Sequence, residues 1–303
     1  MSHTSRSTVA VLLAISAIAC NNGRTGEDTH TEHDSGAVAL ATGSAAGGTD
    51  SAAAPSAEDA RQRLAASPRH GEWVMIPAGA SDSVRAWVVY PERDTKAPVV
   101  LVVHEIFGLS TWIRAVTDQL AADGFIAIAP DLLSGKYTQR NPSDTLASDS
   151  AVALIRTLDQ ADVQRRLTAV ARYGMSLPSA VPRYGIVGFC WGGSVSFAHA
   201  VSGTPELGAS VVYYGTPPAA DQLARVHAPV LGLYGQEDAR VTSTIPGADS
   251  ALKALGRTYE HSVFEGAGHG FLRAQSGHDG ANLTAAAEAW PKTIAWFNKY
   301  LGS

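Results

Sequence analysis

From Trp73 onward, short apolar runs alternate with longer stretches in which apolar residues recur every three or four positions. Residues 73–77 and 84–90 read as an opening strand pair joined by the turn Gly79-Ala80-Ser81-Asp82. Residues 99–104 are five apolar positions closed by His104, the pattern of a strand buried on both faces. Ser110 is placed to cap a helix that runs to Asp123 and stops at Gly124. A second buried strand, 125–129, is halted by Pro130-Asp131. Ala147, Val152, Ile155, Leu158, Val163, Leu167 and Val170 keep a helical period, predicting one long helix over 145–173. Strands follow at 184–189, 209–214, 229–234 and 259–264, with helices at 191–201, 247–255 and 283–301. Strands alternating with helices predict a mostly parallel sheet covered on both faces, with ligands bound beyond the carboxyl ends of its strands.

Composition sets where this pattern begins. The first 72 residues contain no aromatic side chain, and 19 of the 23 residues from 35 to 57 are Ala, Gly, Ser or Thr. So little apolar area cannot offset the entropy of ordering the chain. The expectation is a flexible tether over 21–66, in which residues 59–66 could form a helical turn or two, and a folded domain over 67–303. Residues 1–20 differ again: Arg6 precedes eleven apolar or small residues from Val9 to Ala19. A helix of that length reaches about 16 Å, short of a hydrocarbon core of about 30 Å, so the segment has the proportions of a secretory leader. Ala17-Ile18-Ala19-Cys20 resembles the lipobox of bacterial lipoproteins, in which Cys20 would carry the lipid; conventional cleavage nearby is the alternative. Either way an exported protein of the bacterial periplasm or envelope is expected, touching membrane only through such an anchor.

Charge and cysteine content narrow the chemistry. With 17% charged residues and a net charge of −5, the chain has no basic cluster to suit a nucleic acid. Two cysteines exclude a disulfide scaffold and a four-cysteine zinc site, and no phosphate loop or metal-ligand spacing suggests a cofactor. His30 and His33, set among Asp28, Glu32 and Asp34, read as a solvated linker.

The run Gly188-Phe189-Cys190-Trp191-Gly192-Gly193 lies between a strand and a helix. That is the pattern of a nucleophile elbow, whose strained turn needs glycines beside the nucleophile. It would expose Cys190 at a helix N-terminus, where the dipole favours a thiolate. Ser194, four residues into the helix, cannot occupy such a turn. An elbow predicts an acid and then a histidine later in the chain. Strand 229–234 ends in Gly235-Gln236-Glu237-Asp238, from which Asp238 is preferred over Glu237. Strand 259–264 leads to Gly268-His269-Gly270, a glycine-flanked loop that lets His269 swing toward the elbow as general base. His199, His227, His261 and His278 lie within elements or at less suitable positions.

Taken together, Val103-His104-Glu105-Ile106-Phe107-Gly108, Ala129-Pro130-Asp131-Leu132, the Cys190 elbow, Tyr213-Tyr214-Gly215, the Asp238 turn and Gly268-His269-Gly270-Phe271 resemble the dienelactone hydrolase family over about residues 72–301. The resemblance implies the α/β-hydrolase fold and a cysteine-dependent hydrolase of small lactones or carboxylic esters. It implies a Cys190–His269–Asp238 triad, with Glu105 accepting the proton of the resting thiol. Backbone N–H groups of Trp191 and Ile106 would form the oxyanion hole. Arg273, four residues after His269, would meet a substrate carboxylate; Arg140 and Arg156 are candidates for a second arginine. Two other readings stay open: a tethered binding or scaffold protein on the same architecture, and a broad carboxylesterase.

Overall fold

The computed structural model describes residues 53–137 and 146–302. The leader, Cys20, the His30/His33 cluster and Arg140 lie outside them. Eight strands form one sheet: β1 (Gly71–Pro77), β2 (Ser83–Val89), β3 (Ala97–Val103), β4 (Ile126–Pro130), β5 (Ala180–Phe189), β6 (Leu207–Tyr213), β7 (Val230–Gly235) and β8 (Tyr259–Phe264). Their spatial order is β1-β2-β4-β3-β5-β6-β7-β8. The β1–β2 and β2–β4 pairs are antiparallel, and every pair from β4 to β8 is parallel. This is the mostly parallel sheet the alternating pattern predicts, in the α/β-hydrolase architecture that the family resemblance implies.

β3, β4, β6 and β7 are buried at every position, which explains their continuous apolar runs. Successive residues nonetheless feed different cores. Val100 and Val102 of β3 join the cluster containing Trp112, Trp290 and Phe297, whereas Val99, Leu101 and Val103 face Val163, Leu167 and Val170. On the first face lie α1 (Ala60–Ala66), α2 (Thr111–Ala122) and the C-terminal helix, which runs Ala281–Leu301. Between α2 and that helix in sequence come α3 (Ser148–Ile155), α4 (Gln160–Ser176), α5 (Trp191–Ser202), α6 (Ala239–Thr242) and α7 (Ile245–Ala254), so the C-terminal helix is α8. α4 and α5 cover the second face.

Two expectations require correction. The helix predicted over 145–173 is two helices, α3 and α4, separated at 156–159. Asp159 starts the second one: its carboxylate accepts the N–H of Asp162, while the Thr157 hydroxyl donates back to the Leu154 carbonyl. The apolar period carries across the break and conceals it. The stretch expected to be tether up to residue 66 also contains packed chain. Ala54 and Ala60 are buried, and Leu64 packs on the core beside Trp112. Ser56 and Asp59 form a reciprocal cap, each side chain accepting the other's backbone N–H, so the helical turn begins at Ser56. Arg69 then pairs with Asp118 at 2.7 Å in a nearly buried position.

Candidate active site

Because β3 to β8 run parallel, the segments following β3, β5, β7 and β8 emerge along one edge of the sheet. The residues singled out in the sequence come from these segments. Cys190 follows β5 directly as the N-cap of α5, with φ 57° and ψ −116°, and its N–H donates to the Tyr213 carbonyl at 3.1 Å. The turn is tight. A Cβ on Gly188 would collide with the Gly192 carbonyl, and one on Gly192 would collide with the carbonyls of Val103 and His104. Both positions therefore require glycine. The thiol is free and half-buried.

Asp238 follows β7 and is buried; its Oδ2 accepts from Nδ1 of His269 at 2.5 Å. About a third of the His269 side chain is open to solvent, and Glu237, the other acid weighed, is exposed. The His269 loop is stapled from behind by Asn282 of α8, which accepts the Gly268 N–H at 2.9 Å and donates to the Ala274 carbonyl at 2.8 Å. The Tyr214 ring lies 5.0 Å from the His269 ring and also borders Cys190. Among the described residues, Tyr214 is one of four non-glycine positions with positive φ.

Glu105, just beyond β3, is 4% exposed, and burial raises its carboxyl to about 7 despite the opposing charge of Arg273. Arg273 Nε is 3.3 Å from Glu105 Oε2, and its guanidinium sits 5.0 Å from the centre of the Phe107 ring. The thiol of Cys190 is pushed up by burial and by the Glu105 carboxylate; the Trp191 N–H and Arg240 pull it back down. His104 holds the base of this loop. The Leu132 N–H donates to its Nε2 at 3.2 Å, so its Nδ1–H donates to the Glu105 carbonyl at 2.8 Å. Its ring stacks on Trp191 at 5.6 Å. The Ile106 side chain packs toward Leu133, Ala151 and Ile155, and Arg156 is an exposed helix end away from the packed core.

A depression of about 240 Å³ beside the thiol is lined by Cys190, Trp191, Ser194, Tyr214, Thr216 and Arg240. Ser194 is engaged elsewhere, 3.0 Å from the Thr216 hydroxyl and accepting the Thr216 N–H. Four members of this environment went unassigned in the sequence: Arg240, Tyr214, His104 and Asn282. Arg240 had a usable signal, since it stands two residues after Asp238 at a strand end. Asn282 had none, being one polar residue at the start of a helix.

A family model described as "Dienelactone hydrolase family" matches residues 84–301, most of the chain. The chain belongs to the dienelactone hydrolase family. It is 30% identical over 262 residues to a Salmonella typhimurium protein named "Putative carboxymethylenebutenolidase", covering 78% of this chain and 95% of that one. A Bradyrhizobium protein named "Probable 2-oxo-3-(5-oxofuran-2-ylidene)propanoate lactonase" is 29% identical over 244 residues, covering 76% and 94%. The crystal structure of a "Putative Dienelactone Hydrolase" from Klebsiella pneumoniae superposes with a TM-score of 0.66 at 30% identity, covering 77% of this chain and 99% of that one. This dienelactone hydrolase family member is thus a hydrolase. Among its described residues, no group of three or more His, Cys, Asp or Glu side chains is arranged to hold a metal ion. No described helix is long and apolar enough to cross a membrane.

Proposed function

We propose that the protein hydrolyses small lactones or carboxylic esters through a thioester on Cys190. The observation that carries this reading is a cysteine in left-handed backbone at a helix N-terminus, on the sheet edge that also bears the Asp238–His269 hydrogen bond. Glu105, its carboxyl near 7 against the surrounding pH, is suited to take the thiol proton when bound substrate draws Arg273 away. The thiolate attacks the ester carbonyl, and the new oxyanion is held by the N–H groups of Trp191 and Ile106. Collapse expels the alcohol oxygen, which leaves with the proton the sulfur gave up. Water, deprotonated by His269, then cleaves the thioester; the acid departs and the imidazolium returns its proton to sulfur. Asp238 fixes the imidazole tautomer, leaving Nε2 to work.

Arg273 and Arg240 favour substrates that carry an anionic group. The Bradyrhizobium relative's name, a lactonase of a propanoate, agrees with that class. The leader reading adds export to the cell envelope, with Cys20 as the lipidated residue. Cys190→Ala should abolish ester turnover while leaving Tm within a few degrees of the parent. Full activity in that variant overturns the mechanism, and an inert thiol toward iodoacetamide in the parent would favour the scaffold reading.

A further inference from the structure

The backbone just before α1 makes contacts that composition gives no reason to expect. The Ala57 N–H donates to the main-chain carbonyl of Arg273 at 2.8 Å. Gln275 Nε2 donates to the Ala54 carbonyl at 3.1 Å, and the Ser276 hydroxyl donates to Glu58 at 3.1 Å. From the other side the Trp112 indole N–H donates to the Pro55 carbonyl at 2.9 Å, anchoring the segment to α2. Residues 54–58 therefore bridge a rigid helix and the 270–276 loop. That loop carries the guanidinium facing Glu105. Asn282 holds its inner side through Gly268 and Ala274, so the segment supplies the outer clamp.

We propose that residues 54–58 are a positioning strap that fixes Arg273 opposite Glu105, and so sets the reception of an anionic substrate. This rests on the hydrolytic reading of Glu105 and Arg273 given above. The strap works through main-chain groups, and its distance in sequence from the loop exceeds 200 residues. Loosening it lets the guanidinium move away, which withdraws the charge that holds the Glu105 carboxyl down.

The capped turn provides a clean perturbation. Ser56 opens the turn ahead of α1, its hydroxyl accepting the Asp59 N–H and its carbonyl the Ala60 N–H. Ala57 lies in that turn, before α1, and its own N–H is used by Arg273 and not by the helix, so a proline there removes no helical hydrogen bond. Ala57→Pro in the full chain thus deletes the donor to Arg273 and leaves α1 intact. Trp112→Phe, removing the anchor to Pro55, is the second variant. Both should melt within a few degrees of the parent. Amides of Arg273 and Ala274, which donate to the Gly270 carbonyl, should exchange about 2- to 10-fold faster, the change expected for one net hydrogen bond. The acid limb of kcat/KM should move to higher pH, and KM for a carboxylate-bearing lactone should rise several-fold more than KM for a neutral ester. Unchanged exchange at 270–276 in both variants overturns the strap whether or not the protein hydrolyses esters. Faster exchange with an unmoved pH limb and equal KM changes overturns its role at the site. If the parent itself turns over no ester, the hydrolytic reading fails, and exchange alone then decides whether the strap holds the loop.

Discussion

Glu105→Gln tests the electrostatics of the site through stability, independently of turnover. The carboxyl is 4% exposed and sits near 7, against an ordinary 4.5. At about 1.36 kcal/mol per pH unit, the folded protein gives up about 3 kcal/mol to ionise it. The sign follows from proton counting. Between pH 4.5 and 7 the folded state binds more protons at this residue than the unfolded state, so stability falls as pH rises. Below 4.5 both states are protonated and nothing is lost. Above 7 both are ionised and the full penalty is present.

A neutral amide of similar shape escapes this penalty. The stability of Glu105→Gln relative to the parent should therefore climb by about 2–3 kcal/mol between pH 5 and pH 8, whatever constant offset the amide introduces. Urea titrations at four pH values across that range, with equal m-values in both proteins, measure it. Two readouts should move in opposite directions in the same variant. Ester turnover should drop, because an amide cannot take the thiol proton. Alkylation of Cys190 near neutral pH should quicken, because the carboxylate that raises its thiol is gone. A stability difference flat with pH would refute the reasoning, for it would mean the carboxyl titrates at its ordinary position. A buried ionisable group that destabilises the fold is the signature of a site kept for chemistry.

Arg240→Gln should have the opposite effect on the thiol: removing a cation that lowers the Cys190 pKa slows iodoacetamide alkylation at fixed pH by several-fold, and an unchanged rate profile would show that Arg240 does not act on the sulfur. Away from the site, His199 is buried and held to about 3, bonded to Tyr184 at 2.9 Å and Gln164 at 2.6 Å. The unfolded chain gains its proton near 6.5 while the folded one resists, so stability should fall as pH drops from 6.5 toward 3. Acid titration of Tm should be shallower in His199→Gln than in the parent.

How these residues divide follows from where their roles are written. Cys190, Asp238 and His269 were legible because each owes its position to neighbours in sequence: a strand before, a glycine beside, a helix or loop after. A parallel sheet then brings such strand-end residues to one edge without further instruction. The same logic exposed Asp159 in principle, since an Asx cap three residues before Asp162 marks a new helix; the uninterrupted apolar period outweighed it. The strap obeys no local rule. It is held mostly through its own main-chain carbonyls and N–H, its side chains are mostly small, and its contacts to the 270–276 loop span more than 200 positions. Composition counts apolar area, and by that count residues 54–58 cannot hold themselves in place. They are ordered because a preformed surface, made by α2 and the 270–276 loop, satisfies their backbone groups one by one. The chemistry proposed for the site is thus encoded near each candidate side chain, whereas the strap proposed to aim Arg273 is encoded only in the meeting of distant segments.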